Sequence, residues 1–406
     1  MTTQPIYNHI PALRFPDFLN DGEWEDYSIE EVFDIRNGYT PSKSKTDYWE
    51  NGTIPWFRME DIRANGNILS DSIQHITQEA IKGFGLFPAY SIIVATSATI
   101  GEHALITVES LANQRFTYLS KKKPFENKVD MLYFHYYMFV IDEWCKKNTN
   151  TGGFLSVNMS AFRQLRIPLP PLVEQRRIAQ TLTALDELIA ATNGKLEQLK
   201  AYKKGLMQKL FPAKGKKQPE LRFKEFEKDG EWEEKKLGEI VNVLDSQRKP
   251  VAKNERMRGK YPYYGANGIQ DYVSDYIFDG SFLLMGEDGS VINKDGTPVL
   301  HWAEGRIWVN NHAHVMSENC NAAYLKYVFY VLSKVDVQSL VKGIPPKINQ
   351  QNMRNILLLI PSLPEQVKIA SCLSTLDEKI NSYKEKIALL GQYKKGLMQQ
   401  LFPTSK

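Results

Sequence analysis

Two segments of the chain carry apolar residues at alternating steps of four and three. The first runs Ile178, Leu182, Leu185, Ile189, Thr192, Leu196, Leu199, Lys203, Leu206, Leu210. The second runs Ile369, Leu373, Leu376, Ile380, Tyr383, Ile387, Leu390, Lys394, Leu397, Leu401. This rhythm, kept up over about five heptads, is the seam of a coiled coil and not the 3.6-residue stripe of a core helix. Prolines bracket each segment: Pro168, Pro170 and Pro171 before the first, Pro361 and Pro364 before the second, Pro212 and Pro403 after them. Proline is tolerated at a helix start but breaks an interior. At about 1.5 Å per residue each helix spans roughly 55 Å. Outside them the pattern is one of short β-branched runs, such as Ser91-Ile92-Ile93-Val94-Ala95, cut by glycine loops. The predicted fold is α+β: two mixed α/β domains separated by two long antiparallel helices that form a coiled coil, with pseudo-twofold symmetry. Its parts are a domain over 1–167, a helix over 168–212, a second domain over 213–359 and a second helix over 360–406.

The chain repeats itself. Residues 13–35 and 221–243 align without gaps at an offset of 208, sharing L-R-F and D-G-E-W-E. Residues 174–212 and 365–403 align at an offset of 191, with 21 of 39 positions identical, including L-D-E (185–187, 376–378) and Y-K-K-G-L-M-Q (202–208, 393–399). The material between these matched ends differs in both length and sequence. Repeated ends with divergent middles point to a common docking requirement and two different targets; an old duplication that simply drifted would have lost the ends as well. If the helices pair antiparallel, the chain termini come close together. Lys203 and Lys394 lie on the seam. Either they face an acidic partner or their stems snorkel to water, and the second reading is preferred.

Charge and composition narrow the chemistry. The net charge of +4 is compatible with nucleic acid but does not argue for it. Cys145, Cys320 and Cys372 are scattered, with no C-x-x-C pair, which fits a reducing cytoplasm. The first ten residues lack a signal pattern, and no apolar run is long enough for a bilayer. The methyltransferase signature N/D-P-P-Y/F is missing, the Pro-Pro pairs standing in L-P-P-L and I-P-P-K. There is no G-x-x-x-x-G-K-S/T loop for ATP and no H-E-x-x-H. Ser97 in A-T-S-A-T-I-G is not placed as a nucleophile. His312 and His314, two apart on one strand face, read as packing or a DNA-facing contact and not as a metal pair.

Two different modules on a stiff spacer suit two DNA half-sites at fixed separation, about one helical turn apart. The chain also resembles the specificity subunit of type I restriction-modification enzymes, over essentially its whole length. The resemblance rests on I-P-L-P-P-L-V-E-Q-R-R-I-A (167–179), I-P-S-L-P-E-Q-V-K-I-A (360–370), G-Y-T-P-S (38–42) with Y-W-E-N-G-T-I-P-W (48–56), and Y-P-Y-Y-G-A-N-G-I (261–269). It implies two target-recognition domains that read a bipartite site in double-stranded DNA. It implies two modification (methyltransferase) subunits and two restriction (ATP-dependent translocase and nuclease) subunits as partners, directed to adenine methylation and cleavage. On that reading this cytoplasmic chain is not an enzyme and binds neither cofactor nor metal, while S-adenosylmethionine, ATP and magnesium belong to the partners.

Base edges are read chiefly by arginine, lysine, asparagine and glutamine, while phosphate contacts only position the protein. The candidates in the first module are Thr40, Ser42, Lys43, Arg58, Ser97, Thr99, Gln114 and Arg115, with the loop N-T-N-T-G-G (148–153) as a further stretch. Those in the second are Arg248, Lys249, Tyr263, Tyr264, Asn267, Lys294, Asn310, Asn311, His312 and Lys342, with Gly265 and Gly268 allowing close backbone approach. Any of these also reads as a solvated loop or turn. Trp49 and Trp56 read as core. The eight lysines of 195–217 are either a solvated run or a stripe that tracks the DNA backbone. A self-sufficient DNA-modifying enzyme and a coiled-coil scaffold without DNA remain as rival readings. The first predicts methylation by the purified chain alone, and the second predicts no footprint.

Overall fold

The computed structural model describes residues 10–83, 85–150 and 155–403. The chain divides into two compact units, Met1–Thr192 with Lys386–Lys406, and Asn193–Glu385. In the first unit lie β1 (Glu25–Ser28), β2 (Phe33–Asn37), β3 (Ile54–Phe57), β4 (Ser91–Ala95), β5 (His103–Ile106), β6 (Phe116–Lys121), α1 (Met131–Lys147) and β7 (Arg166–Leu169). The predicted helix over 168–212 is α2 (Leu172–Leu210), 39 residues long. The second unit holds β8 (Glu233–Lys236), β9 (Val241–Val243), β10 (Arg258–Gly265), β11 (Gly268–Val273), β12 (Phe278–Gly286), β13 (Leu300–Val309), β14 (Ala313–Glu318), α3 (Leu325–Leu332) and β15 (Leu357–Ile360). The helix predicted over 360–406 is α4 (Leu363–Leu401), also 39 residues. Each unit is therefore a mixed α/β module carrying one segment of each long helix.

Within each unit the two helix segments run antiparallel. In the first, Asp186 of α2 meets Lys394 of α4, while Ile178 and Leu182, earlier in α2, share a core with Leu401 and Phe402. In the second, Lys203 meets Asp377, and Leu210 and Phe211 share a core with Ile369 and Leu373. The preferred reading of the seam lysines is thus corrected. Each pairs with the aspartate of an L-D-E repeat, and the same carboxylate accepts a hydrogen bond from a module tyrosine: Tyr136 at 2.8 Å from Asp186, Tyr330 at 2.7 Å from Asp377. Leu13 donates its amide to the Gln400 carbonyl at 2.9 Å, while the ends themselves, expected to lie close, fall outside the described residues.

The repeated residues prove to be one cluster, built twice. Arg14 of L-R-F makes a two-pronged ion pair with Glu174 (2.8 and 2.7 Å) and donates to the carbonyls of Asp21 and Gly22 in D-G-E-W-E. Arg222 does the same with Glu365, Asp229 and Gly230. The fully buried Gln175 donates to the carbonyls of Pro170 and Lys128 and accepts from the Asp130 amide, which ties the start of α2 to the start of α1. Trp24 packs edge-on against Tyr133, which Phe402 of the terminal L-F-P also touches; Trp232, Tyr327 and Phe211 repeat the arrangement. Since Phe211 directly follows α2 and Phe402 directly follows α4, each unit's core is closed by the residue after the helix that began in the other module.

The sheets share a plan beneath their different sequences. In the first module the order is β2, β6, β4, β5, then the two-residue strand Ile68–Leu69; in the second it is β9, β14, β12, β13, β10, β11. The first four strands pair antiparallel in both, and the fifth joins parallel in both.

His135 on α1 shows how burial sets a pH limit on the first unit. Burial, then the neighbouring His103 and Lys394, push its pKa down to about 3. An unfolded chain takes up a proton on this ring below about 6.5, whereas the folded one does not. Its contribution to stability is therefore complete above pH 6.5 and is lost as pH falls from there towards 3. The melting temperature of the first unit is expected to fall across that window, and His135→Leu is expected to flatten the slope, as read by calorimetry at a series of pH values.

Candidate nucleic-acid interface

The shared sheet plan brings the candidate loops together at one edge of each module. In the first module the exit of β2, the entry of β6 and the exit of β4 lie side by side, with Asn37 opposite Thr117 and Ala95 opposite Phe116. Thr40 follows β2 and donates to Gln114, just before β6. The Thr96 amide donates to the Arg115 carbonyl, and Val157 donates back to Thr96. Gly38 of G-Y-T-P-S can be nothing else, because a Cβ there would stand 2.2 Å from the Ala112 carbonyl oxygen and 2.6 Å from that of Asn113. Behind this loop Trp56 is buried and donates to the Tyr39 carbonyl; Trp49 packs edge-on to it and donates to the Ser42 carbonyl. Both tryptophans brace the loop, as expected. Ser42, Lys43, Gln114 and Arg115 are exposed, and Thr40, Arg58, Ser97 and Thr99 are half-buried. The Arg58 guanidinium sits 5.7 Å from the centre of the Trp56 ring, and its Nε makes no hydrogen bond. Of the 148–153 loop, residues 151–153 lie outside the described residues.

In the second module the corresponding edge gathers the segment after β9, the turn before β14 and the exit of β12. The Leu244 amide donates to the Val315 carbonyl and Glu287 donates to that of His312. Lys249, Asn267, Lys294, Asn311, His312 and Lys342 are exposed here or on the adjoining turns. Four candidates are buried or largely buried. Tyr263 and Tyr264 are buried strand residues, Tyr263 bonded through its hydroxyl to Val251 and roofed by Arg256. Asn310 is buried and accepts from the His312 amide. Arg248 is mostly buried, donating to the Asp245, Ala313 and Asn311 carbonyls and to Glu287. His312 and His314 also part company: His312 is exposed beside Asp288, and His314 is buried.

Beneath this edge lies a charged network invisible to sequence reading, because its members come from four distant segments. Asp245, Glu287 and His314 place ligand-type atoms within 4.8 Å of one another. Cations and donors already face those atoms. His314 puts Nδ1 2.6 Å from Asp245 and Nε2 2.8 Å from the Ile348 carbonyl; Arg248 contacts both carboxylates, and Lys347 lies 3.0 Å from Glu287. Burial acts to raise Asp245 and Glu287, but these partners outweigh it and hold both carboxyls below their ordinary range. With every ligand atom engaged, the group acts as a buttress for three loops. A cleft elsewhere in the second unit, lined by Asp279, Glu304, Glu318, Asp377 and Glu378, has the wrong sign for phosphate.

A family model described as the type I restriction modification DNA specificity domain matches this chain twice, over residues 21–201 and 229–391. The chain belongs to the type I restriction-modification DNA-specificity family. Each match opens at the aspartate of D-G-E-W-E and takes in one module and most of the long helix that follows. The chain is 37% identical over 393 residues to the EcoprrI specificity subunit of Escherichia coli, covering 92% of each. It is 25% identical over 410 residues to the MjaIX specificity subunit of Methanocaldococcus jannaschii, covering 93% of this chain and 92% of that one. The crystal structure of the type I restriction-modification S subunit from M. genitalium superposes with a TM-score of 0.64 at 18% identity, over 98% of this chain and 100% of that one, a likeness of fold. As a specificity subunit the chain carries two target-recognition domains, and its internal repeat is the family's own domain repeat. Among the described residues no helix is long and apolar enough to cross a membrane.

Proposed function

We propose that each target-recognition domain reads one half of a bipartite, asymmetric DNA site, with an unread gap whose length follows from the two long helices. One observation carries this reading. Two sheets of the same strand order present polar loops at the same edge, and the residues differ: Ser42, Lys43, Gln114 and Arg115 in one, Lys249, Asn267, Asn311, His312 and Lys342 in the other. Equivalent placement supports a common task, and different side chains support different sequences.

The repeated helices support a second part of the reading, two identical partners. Tyr202 and Tyr393 hold the same place in Y-K-K-G-L-M-Q and stand 61% and 62% exposed. A large aromatic repeated at the same place and mostly exposed fits a face that is covered by another subunit. On this reading the chain is non-catalytic and works in the cytoplasm with two modification and two restriction subunits. Those subunits bring S-adenosylmethionine, ATP and magnesium, and this chain directs their adenine methylation and cleavage. The test is footprinting of the chain co-purified with its modification subunit. Two protected patches at invariant spacing are expected, and a sequence-blind or single-patch footprint would overturn the reading, as would methylation by the chain alone.

A further inference from the structure

The I-P-P-K stretch has no part in the function argued so far, and its placement is unusual. Residues 342–347 fold back as a tight turn: Lys342 and Lys347 exchange two backbone hydrogen bonds, each 2.8 Å. Ile344 at its tip is 102% exposed, and Pro345 and Pro346 beside it are exposed too. Soluble proteins expose single apolar side chains often. A fully exposed isoleucine held out on a braced turn among cations is a different matter.

The bracing is extensive. The Gly289 amide donates to the Pro346 carbonyl at 2.9 Å, and Ile348, fully buried, donates to the Glu287 carbonyl at 2.9 Å. The Ile348 carbonyl faces His314 of the buried network, and Lys347 is paired with Glu287. The turn is thus fixed to the strand exit that carries Asp288, which in turn contacts His312. Lys342 and Lys347 form its base, and Asp288 beside it carries His312. A rigid apolar point flanked by two lysines has the make-up of the side chains that proteins drive between stacked bases, isoleucine and proline among them.

We propose that the Gly343–Pro346 tip is a wedge that enters the base stack of the half-site read by the second domain, with Ile344 as its leading side chain. This rests on the DNA-reading function proposed above. The buried network keeps the turn from yielding when the stack resists, and the lysines hold the backbone on either side. Opening the stack there would lower the cost of extruding a nearby base for a modifying partner.

The complex of the full chain with its modification subunit tests this on duplexes carrying 2-aminopurine at each half-site position in turn, other than the methylated adenine. A several-fold fluorescence rise at one step is expected on binding. Ile344→Ala is expected to abolish that rise and weaken binding about tenfold, the scale of one lost aliphatic burial, with the same salt slope and the same preferred sequence. Ile344→Leu is expected to keep the rise. Equal rises with isoleucine and alanine would overturn the wedge. So would loss of the modification subunit from Ile344→Ala during purification, which would mark the tip as a protein contact. Failure of the unaltered complex to bind any site specifically would instead remove the DNA-reading function beneath it. Thermal unfolding of both variants is expected to match the parent, because the side chain packs against nothing.

Discussion

Replacing residues 14–167 by the corresponding stretch of another specificity subunit is expected to change one half-site and leave the other half and the gap unaltered. The first domain's loops all fall within that stretch, at the exits of β2 and β4 and the entry of β6. The contacts that cross its boundary include the repeated ones. Arg14 meets Glu174, the Asp130 amide meets Gln175, Tyr136 meets Asp186, and Tyr133, with Trp24 packed against it, meets Phe402 just after α4. A foreign domain with the same arginine, tryptophan and tyrosines would seat on the unchanged helices. Each wrong base pair costs about 1–3 kcal/mol, so two re-specified pairs shift preference by a factor of about 30 to 20,000. Methylation-sensitive sequencing of cells carrying the hybrid reads both halves at once. A change in both halves, or in the gap, would show that the domains do not read independently.

That modularity was legible in the sequence because its carriers are identities. The 3.5-residue seam gave both long helices to within a few residues, and the repeated L-R-F, D-G-E-W-E, E-Q and L-F-P all proved to meet in one cluster per unit. What stayed hidden is which repeated residue touches which. Arg14 and Glu174 are 160 residues apart, and no local rule joins them. The seam lysines were misjudged for the same reason: a lysine stem beside apolar positions reads as snorkelling until its partner aspartate on the other helix is seen. The repeat also extends further back than identity shows. Asn158 and Asn349, at the same offset as the helices, both cap short helices that precede β7 and β15. Phe162 and Met353 then fill equivalent buried positions. Chemistry is kept there while letters change, and a search for matching letters passes over it.

The candidate edge was legible only as a set of loops. Tyr263, Tyr264 and Asn310 lie beside glycines and other polar residues, which is how a reading loop looks in sequence. Their burial is decided by strand pairing: Tyr263 and Tyr264 sit opposite Trp308 and Val309 in the sheet, and Asn310 follows directly. Arg248 has the residue type of a base reader, but the buried carboxylates of Asp245, in its own turn, and Glu287, from another segment, claim its donors.

Arg14→Met is expected to destabilise the first unit by about 3–5 kcal/mol, which is a large part of what a typical domain has. The side chains of Arg14 and Glu174 are 4% and 1% exposed, so removing the guanidinium leaves a carboxylate in a nearly dry site with no counter-ion. The pair itself is worth much less than that loss, because burying two ions costs most of what their attraction returns. Glu174→Leu in the same chain is therefore expected to restore the greater part of the stability. Recovery stays incomplete, because Arg14 also donates to the carbonyls of Asp21 and Gly22, and each such bond contributes about 0.5–1.5 kcal/mol net. Urea unfolding of the single and double variants measures the three values, with an unchanged denaturant slope showing that the same unit is being unfolded. A single-variant loss below about 1 kcal/mol would mean that water reaches Glu174 once the arginine is gone. In that case the repeated arginine serves mainly to fix the path of the D-G-E-W-E segment. Repeating the cycle at Arg222 and Glu365, where the arginine is 10% exposed, separates the two roles: a burial effect should shrink with the added exposure, and a path effect should not.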